Sequence, residues 1–267
     1  MSEEPGILGQ ENQLRDWFTQ RCDPIRAVVD GLDIGWGGVQ RWATARMPAP
    51  EGLHLDIACG YATFLAQLGW RFPHARLVGL NIDFEGPHAL ARPLLVEAGV
   101  PAALVQADAR RMPFADGVFG SASCFLGLQD VEIGFGEEGV QEAVAEAVRV
   151  LGAGGVLVLL DEFPSERFGA LLEGLPVTAT EQAECSLDVH WNRQVAEQAI
   201  ALYAEGWAAQ VPVEDEAARE QARCKAYRRM AVEMERQLAA QGCYVPFGPV
   251  RMVIGRRSWD EVPRNRS

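Results

Sequence analysis

The sequence is poor in lysine and contains no long apolar run. Lys225 is the only lysine among the 24 basic residues, so any Schiff-base chemistry would depend on that one side chain. No stretch approaches the roughly 20 consecutive apolar residues that a membrane-spanning helix requires. The acidic start also lacks the charged-then-apolar pattern of a signal peptide. We therefore predict a cytoplasmic protein that does not bind membranes.

Paired cysteines and an excess of positive charge are also lacking. The six cysteines are scattered without a Cys-x-x-Cys pair, which disfavours a zinc site and a disulfide framework, and we expect no metal. With 24 basic and 37 acidic residues, the net charge of −13 opposes nonspecific binding to nucleic acids. We therefore expect a small-molecule partner, no nucleic acid, and a monomer or homodimer.

One stretch, residues 54–64, organises the rest of the chain. An alternation of apolar residues ends at Ile57, and a helical pattern of apolar residues begins at Phe64. Between them, small residues at alternate positions follow an acidic one: Asp56, Ala58, Gly60 and Ala62. A buried strand, a tight turn of small residues and a helix form the geometry that holds a nucleotide-like ligand.

Short apolar runs recur after this stretch and are separated by helical patterns. They lie at 77–81, 103–107, 118–124 and 156–160, with two less regular ones at 176–185 and 250–254. The regular runs are continuous rather than alternating, as strands covered on both faces require. The order of elements predicts an α/β fold: a doubly wound, mostly parallel seven-stranded sheet with helices on both faces and a helical cap.

Two glycine-rich stretches are predicted to be irregular. Residues 34–39 place glycines around Trp36, which favours a loop. This loop either packs Trp36 against the core or closes as a flap over the turn downstream. Gly152 to Gly155 is predicted to end a helix before the apolar run at 156–160 begins.

Four of these motifs resemble, in order and spacing, those of the class I, Rossmann-like S-adenosylmethionine-dependent methyltransferases of the small-molecule branch. They are Asp56–Ala62, Val78–Asn81, Gln106–Ala109 and Arg149–Val158. The resemblance covers residues 50–165 well and the rest loosely. It implies S-adenosylmethionine as cofactor and S-adenosylhomocysteine as product. A dinucleotide-dependent dehydrogenase is disfavoured, because Ala58 and Thr63 stand where its turn needs glycine.

The resemblance also implies which residues contact the cofactor. The residues expected at the methionine end are Asp56, Ala58, Cys59 and Gly60. Those expected at ribose and adenine are Asn81, Ile82, Asp108 and Ala109. The residues expected to face the sulfonium are Cys124 and Phe125. Two of these acidic residues have a structural alternative. Asp56 could tie down the turn, and Asp108 could cap a helix.

The first two motifs depart from the family pattern. Ala58 and Ala62 replace two of the usual three glycines, which is tolerated where their φ angles stay negative. Asn81 replaces a carboxylate and can still bind a ribose hydroxyl, but without a charge-assisted hydrogen bond. The loss in affinity is on the order of 1 kcal/mol.

The resemblance implies a division of labour along the chain. We predict an N-terminal helical segment that closes the cofactor site, a cofactor-binding core, a helical cap over the acceptor pocket, and a final strand that returns to the sheet and ends in a tail. Their predicted bounds are 1–50, 51–186, 187–241 and 242–267.

We predict a methyltransferase for a small organic acceptor that is methylated at oxygen or nitrogen. His190 is the candidate general base, because imidazole titrates near neutral pH; a solvent-exposed histidine is the alternative. The residues expected to line the acceptor pocket are Trp17, Trp36, Gln129, Trp191 and Tyr244. Two other functions stay open. One is a catalytically degenerate binding protein, and the other is an enzyme that uses the same cofactor for chemistry other than methyl transfer.

Overall fold

The structure, a computed structural model, describes residues 5–22, 34–186, 189–209 and 216–258. These residues divide into two compact units. The core unit holds the described residues of 1–14, 38–185 and 249–267, and the second unit holds those of 15–37 and 186–248. In the described ranges, no helix is long and apolar enough to cross a membrane.

Seven strands of the core unit form one mixed sheet. In chain order they are β1 (Leu53–Ile57), β2 (Arg76–Asn81), β3 (Ala102–Gln106), β4 (Phe119–Phe125), β5 (Leu151–Asp161), β6 (Val177–Cys185) and β7 (Val250–Arg257). Their order across the sheet is β3-β2-β1-β4-β5-β7-β6. Strands β1 to β5 pair in parallel, whereas β7 is antiparallel to both β5 and β6. The predicted mostly parallel α/β sheet is thus confirmed, and its far edge is antiparallel.

Helices connect the strands and make up much of the second unit. They are α1 (Pro5–Thr19), α2 (Ile34–Arg46), α3 (Thr63–Arg71), α4 (Ala91–Glu97), α5 (Leu128–Val150), α6 (Ser165–Leu172), α7 (Arg193–Ala209) and α8 (Glu216–Gln241). Helix α5 is kinked at Gly136, whose φ of 69° and ψ of −171° are not helical. Helix α8 ends before Gly242, which has a φ of 77° and takes the left-handed position at which helices commonly stop.

The strand order reverses between β1 and β4. From β1 the chain moves outward through β2 to β3, and from β4 it moves the other way to β5. Because β-α-β crossovers are right-handed, the helices of the two halves lie on opposite faces of the sheet. Ligands of such sheets bind at the reversal, beside the carboxyl ends of the strands. Here those ends are Ile57 and Phe125.

Residues 34–39 are helical, so the prediction of a loop was wrong. They open α2 even though each glycine costs roughly 1 kcal/mol of helix propensity. Packing explains the difference, because Val39, Ala43 and Met47 recur at helical spacing and are buried. Burial of this stripe outweighs the local preference of the glycines. The predicted position of the Trp36 side chain lies outside the described residues.

The glycines at 152–155 lie within β5 rather than in a turn before it, which corrects the second prediction. The pairing of β4 with β5 jumps from Leu151 to Val156, so the glycines form a bulge in the strand. Gly155 has no room for a side chain, because an added Cβ would lie 2.8 Å from the carbonyl oxygen of Gly152. A bulge and a turn need the same small residues, so the sequence pattern did not separate them.

The bulge makes a testable prediction about stability. We expect Gly155→Ala to lower the free energy of unfolding by about 1–3 kcal/mol, because the new methyl meets backbone that cannot move aside. Gly169→Ala, in helix α6 and with no atom within 4 Å of the added Cβ, is the control. It should raise stability by up to about 1 kcal/mol through helix propensity. Urea unfolding measures both changes, and equal effects of the two variants would contradict the bulge.

Candidate functional site

The turn after β1 holds two alanines in the left-handed region. The φ angles are 54° at Ala58, 49° at Gly60 and 65° at Ala62, so the condition of negative φ under which the alanines would be free of strain is not met. This conformation costs an L-residue roughly 1–2 kcal/mol. Hydrogen bonds hold it in place: the Cys59 N–H donates to the Leu80 carbonyl at 3.0 Å, and the Ala62 N–H donates to the Cys59 carbonyl at 2.7 Å. Such strain is typical of ligand-binding sites.

Asp56 has one carboxylate oxygen without a partner. It lies next to the end of β1 and is buried. The Ser123 hydroxyl donates to Oδ1 at 2.8 Å, whereas Oδ2 is buried and accepts no hydrogen bond from any described residue. Burial raises the pKa of Asp56 to about 7. An unpaired buried acceptor fits a ligand with a cationic donor, such as the ammonium group of S-adenosylmethionine.

A chain of polar side chains leads from Asp56 into the sheet. His54 is buried and lies 2.8 Å from Ser121 Oγ through Nδ1 and 3.0 Å from Ser123 Oγ through Nε2. Because Ser123 gives its one hydroxyl hydrogen to Asp56, Nε2 of His54 carries the proton and Nδ1 accepts from Ser121. Burial lowers the pKa of His54 to about 3, so the imidazole is neutral. Sequence reasoning missed this chain, although serines at alternate positions of an apolar run were a signal.

Asn81, at the end of β2, is held by other protein groups. The Gly60 N–H donates to its Oδ1 at 3.3 Å. Its Nδ2 donates to the Asp83 carbonyl at 2.6 Å and lies 3.2 Å from His88 Nδ1. Asn81 therefore ties the turn to the loop that follows β2. Its contact with ribose stays a prediction, as does the cofactor contact of Ile82, whose side chain is exposed.

Asp108, after β3, forms a two-pronged ion pair with Arg110. Arg110 Nη2 lies 2.7 Å from Oδ2 of Asp108, and the Arg110 backbone N–H donates to Oδ1 at 2.9 Å. The hydrogen bonds from Arg110 hold the pKa of Asp108 below its usual range. The guanidinium lies 3.5 Å from the ring centre of Phe135. Asp108 thus orders a turn, and its contact with adenine, like that of buried Ala109, stays a prediction.

The end of β4 packs directly against the turn after β1. A Cβ added at Gly127 would lie 2.5 Å from the Cβ of Ala58 and 3.0 Å from the Sγ of Cys124, so this contact requires glycine. Phe125 stacks on Phe64, the second residue of α3, with ring centres 4.7 Å apart. Burial raises the pKa of Cys124, which keeps it a thiol. The structure therefore brings the predicted β1 and β4 site residues together.

Asp161 is a buried acid at the end of β5 that the site prediction did not include. Its Oδ2 accepts from the N–H groups of Leu128 at 3.0 Å and Gln129 at 3.2 Å, and its Oδ1 accepts from the Glu162 N–H at 2.8 Å. Burial raises its pKa to about 7. These bonds pair both oxygens and anchor the start of α5 at the strand reversal. An acidic pair directly after an apolar run was its signal in the sequence.

Comparison with protein families identifies the core. A family model described as a methyltransferase domain matches residues 55–159. The core unit therefore contains a methyltransferase domain. The family resemblance of the four motifs is confirmed, and S-adenosylmethionine is the methyl donor that the match implies. No group of His, Cys, Asp and Glu within the described ranges could hold a metal ion.

Curated relatives of this domain include quinone methyltransferases. The chain is 35% identical over 148 residues to a demethylmenaquinone methyltransferase of Thermus thermophilus, a match that covers 54% of this chain and 61% of that one. It is 35% identical over 137 residues to the ubiquinone/menaquinone biosynthesis C-methyltransferase UbiE of Paracoccus denitrificans, covering 48% and 52%. The chain thus spans between half and two thirds of these relatives.

Solved structures share the fold of the methyltransferase domain at low sequence identity. A candidate methyltransferase from Bacillus halodurans superposes with a TM-score of 0.56 at 16% identity, covering 82% of this chain and 98% of that one. The 4+2 cyclase SpnF superposes with a TM-score of 0.55 at 14% identity, covering 85% and 83%. At these identities the likeness shows the fold alone.

The predicted acceptor residues fall in both units. In the second unit, Trp191 and Tyr244 form a β-bridge, with N···O distances of 2.8 and 2.9 Å between their backbones. His190, beside Trp191, is exposed. Trp17 is half-buried, with Arg21 4.3 Å from its ring centre. Gln129 belongs to the methyltransferase domain, where its Nε2 donates to Glu162 at 3.1 Å. The structure brings Trp191 and Tyr244 together, and the acceptor pocket stays a prediction.

The buried carboxyl of Asp56 predicts a pH dependence. A carboxyl whose pKa rises from 3.8 to about 7 on folding stays protonated in the native state while the unfolded chain ionises. Its contribution is therefore lost as pH rises, and the free energy of unfolding should fall between about pH 4 and pH 7. We expect Asp56→Asn to flatten this fall.

Urea unfolding at a series of pH values measures the slope. Asp116→Asn is the control, because the Asp116 side chain is 77% exposed and pairs with Arg149 at the surface. Asp161 should leave a residual slope in both variants, since its pKa is raised in the same way. A slope that Asp56→Asn leaves unchanged would show that this carboxyl is ionised in the native state.

Proposed function

We propose that the protein transfers a methyl group from S-adenosylmethionine to a small quinone-type acceptor in its reduced, hydroquinone form, at a ring carbon. The observation that carries the proposal is the unpaired Oδ2 of Asp56 beside the strained turn, within a matched methyltransferase domain. The names of the relatives support a quinone-type acceptor, and that of the Paracoccus relative supports carbon as the methylated atom. The expected oxygen or nitrogen acceptor then becomes the alternative outcome.

The chain's own residues would bind the cofactor and protect its reactive group. When bound, S-adenosylmethionine supplies an activated methyl group on a sulfonium. Asp56 would accept from the ammonium group, and the N-terminus of α3 suits a carboxylate. Phe64 and Phe125 present an apolar stack at the strand reversal. Cys124, as a protonated thiol, would not compete with the acceptor for the methyl group.

Methylation at a ring carbon involves two proton transfers. A hydroxyl of the acceptor gives up its proton before the methyl transfer, and the methylated carbon then releases its own hydrogen as a proton, which restores the aromatic ring while the hydroxyl is protonated again. A ring carbon beside a hydroxyl becomes more nucleophilic when that hydroxyl loses its proton, and positioned bases contribute about 10²–10⁴-fold to such steps. His190 is the candidate, and the neighbouring aromatic pair of Trp191 and Tyr244 is suited to a planar ring. We keep for residues 187–241 the predicted role of a helical cap that binds the acceptor.

A binding protein without turnover is the second candidate. Two observations favour it: Ala58 and Ala62 occupy left-handed positions, and the amide of Asn81 is engaged by protein groups rather than left open for ribose. Each would weaken cofactor binding relative to a glycine turn followed by a carboxylate. This candidate predicts weak or absent binding and no transfer.

Calorimetry with S-adenosylmethionine and S-adenosylhomocysteine tests the proposed cofactor. We expect both to bind, and Asp56→Ala and Asp108→Ala to weaken binding about tenfold or more, as for the loss of a charged hydrogen bond. Asp116→Ala, at an exposed ion pair of the same unit, should leave the affinity unchanged. Absence of binding at millimolar ligand would reject the proposed function.

Incubation with hydroquinone-type and other small acceptors, followed by mass spectrometry, tests the transfer. We expect a product heavier by one methylene unit, with fragmentation that places the new methyl on a ring carbon. Methylation at oxygen or nitrogen would support the proposed methyl transfer and contradict carbon as the acceptor atom. A rearranged product of unchanged mass would identify chemistry other than methyl transfer.

The role of His190 has its own test. We expect His190→Ala to lower kcat on the true acceptor about 10²–10⁴-fold while the affinity for S-adenosylhomocysteine stays unchanged. Arg193→Ala is a nearby control, because Arg193 forms exposed ion pairs with Glu197 and Glu235 in the same unit. A variant that retains the wild-type kcat would reject His190 as the base.

A further inference from the structure

A buried glutamine of the N-terminal region contacts the start of helix α3. Gln40, on α2, is fully buried, and its Nε2 donates to Thr63 Oγ1 at 2.8 Å. Thr63 is the first residue of α3 and directly follows Ala62 of the strained turn. The other amide atom, Oε1, is buried and has no hydrogen-bond partner among the residues that the structure describes. A polar group of the core unit thus lies unpaired next to the turn.

The polar neighbours of Gln40 form an ion pair and a hydrogen bond with one another. Arg41 forms an ion pair with Glu11 of α1, and Gln67 Nε2 donates to the same Glu11 carboxylate at 3.0 Å. Gln67 also has an unpaired, buried Oε1, but it lies one helical turn further along α3, about 6 Å from Thr63 along the axis. Gln40 is therefore the member of this cluster that borders the turn.

Both unpaired groups that flank the turn are hydrogen-bond acceptors when Asp56 is ionised. Asp56 Oδ2 lies at its β1 side and Gln40 Oε1 at its α3 side, and leaving either unpaired in the interior is costly. A ligand that satisfies both must bring more than one donor on a compact group. A primary ammonium carries three N–H donors and matches this arrangement, whereas a carboxylate or an ether oxygen has no donor to offer.

We propose that Gln40 is a cofactor-binding residue whose Oε1 accepts a hydrogen bond from the ammonium group of S-adenosylmethionine. This inference rests on the proposed function. It gives the predicted closure of the cofactor site by residues 1–50 a specific contact. Gln40 and Asp56 would then both accept hydrogen bonds from the ammonium group, and the Gln40 amide would link the ligand to Thr63.

A cycle of two variants and two ligands tests the contact directly. The ligands are S-adenosylhomocysteine and its analogue without the α-amino group, and calorimetry measures both affinities. We expect Gln40→Met to weaken S-adenosylhomocysteine about tenfold to hundredfold and to leave the analogue unchanged. Gln67→Met removes a buried amide of the same cluster and should leave the preference for the amino group intact. Gln40→Glu keeps an acceptor at this position and should retain or strengthen that preference.

The outcomes separate this contact from the proposed function. A wild-type protein that binds neither ligand rejects the proposed function itself. A wild-type protein that binds S-adenosylhomocysteine, with Gln40→Met keeping the full preference for the amino group, overturns the role of Gln40 alone. Thermal unfolding checks that each variant is folded. If Gln40→Met does not fold, Gln40→Glu decides, and a preference weaker than that of the wild type overturns the contact.

Discussion

The site depends on the close approach of β1 and β4 at the point where the strand order reverses. Ala58 fits because residue 127 has no side chain, since an added Cβ there would lie 2.5 Å from that of Ala58. This contact fixes the path of the turn after β1, and with it the start of α3. Gly127 directly precedes α5, so the same contact also sets where that helix begins. One pair of small residues thus positions both helices that flank the candidate site.

Two buried acids at this reversal show how similar electrostatics can serve different purposes. Burial raises the pKa of both Asp56 and Asp161 to about 7. Asp161 is fully paired by three backbone N–H groups, and it holds α5 in place. Asp56 is paired at one oxygen only among the described residues. The two acids therefore differ in their hydrogen-bond pairing and not in burial or pKa, and this pairing leaves an oxygen of Asp56 available to the proposed ligand.

Much of the fold could be predicted from sequence, because continuous apolar runs and small-residue turns are local signals. The strands from β1 to β5 and the helix end at Gly242 follow directly from such signals. The helix at residues 34–39 did not, since its stripe gains stability only against the rest of the protein. The positive φ at Ala58 and the pairing of Asn81 depend on contacts between distant segments. The sequence pattern could place those residues at the candidate site, but it could not reveal their conformation or their hydrogen-bond partners.

The polar chain of His54, Ser123 and Asp56 also bears on how the sheet assembles. Its two strands are distant in sequence, with Ser123 lying 67 residues after Asp56. Parallel strands made only of apolar residues could pair in several registers with little loss of burial. A shift by one residue, however, turns every side chain to the other face of the sheet. A shift of β1 against β4 would leave an imidazole, two hydroxyls and a carboxyl buried without hydrogen-bond partners. These polar side chains therefore favour one register of β1 on β4 during folding.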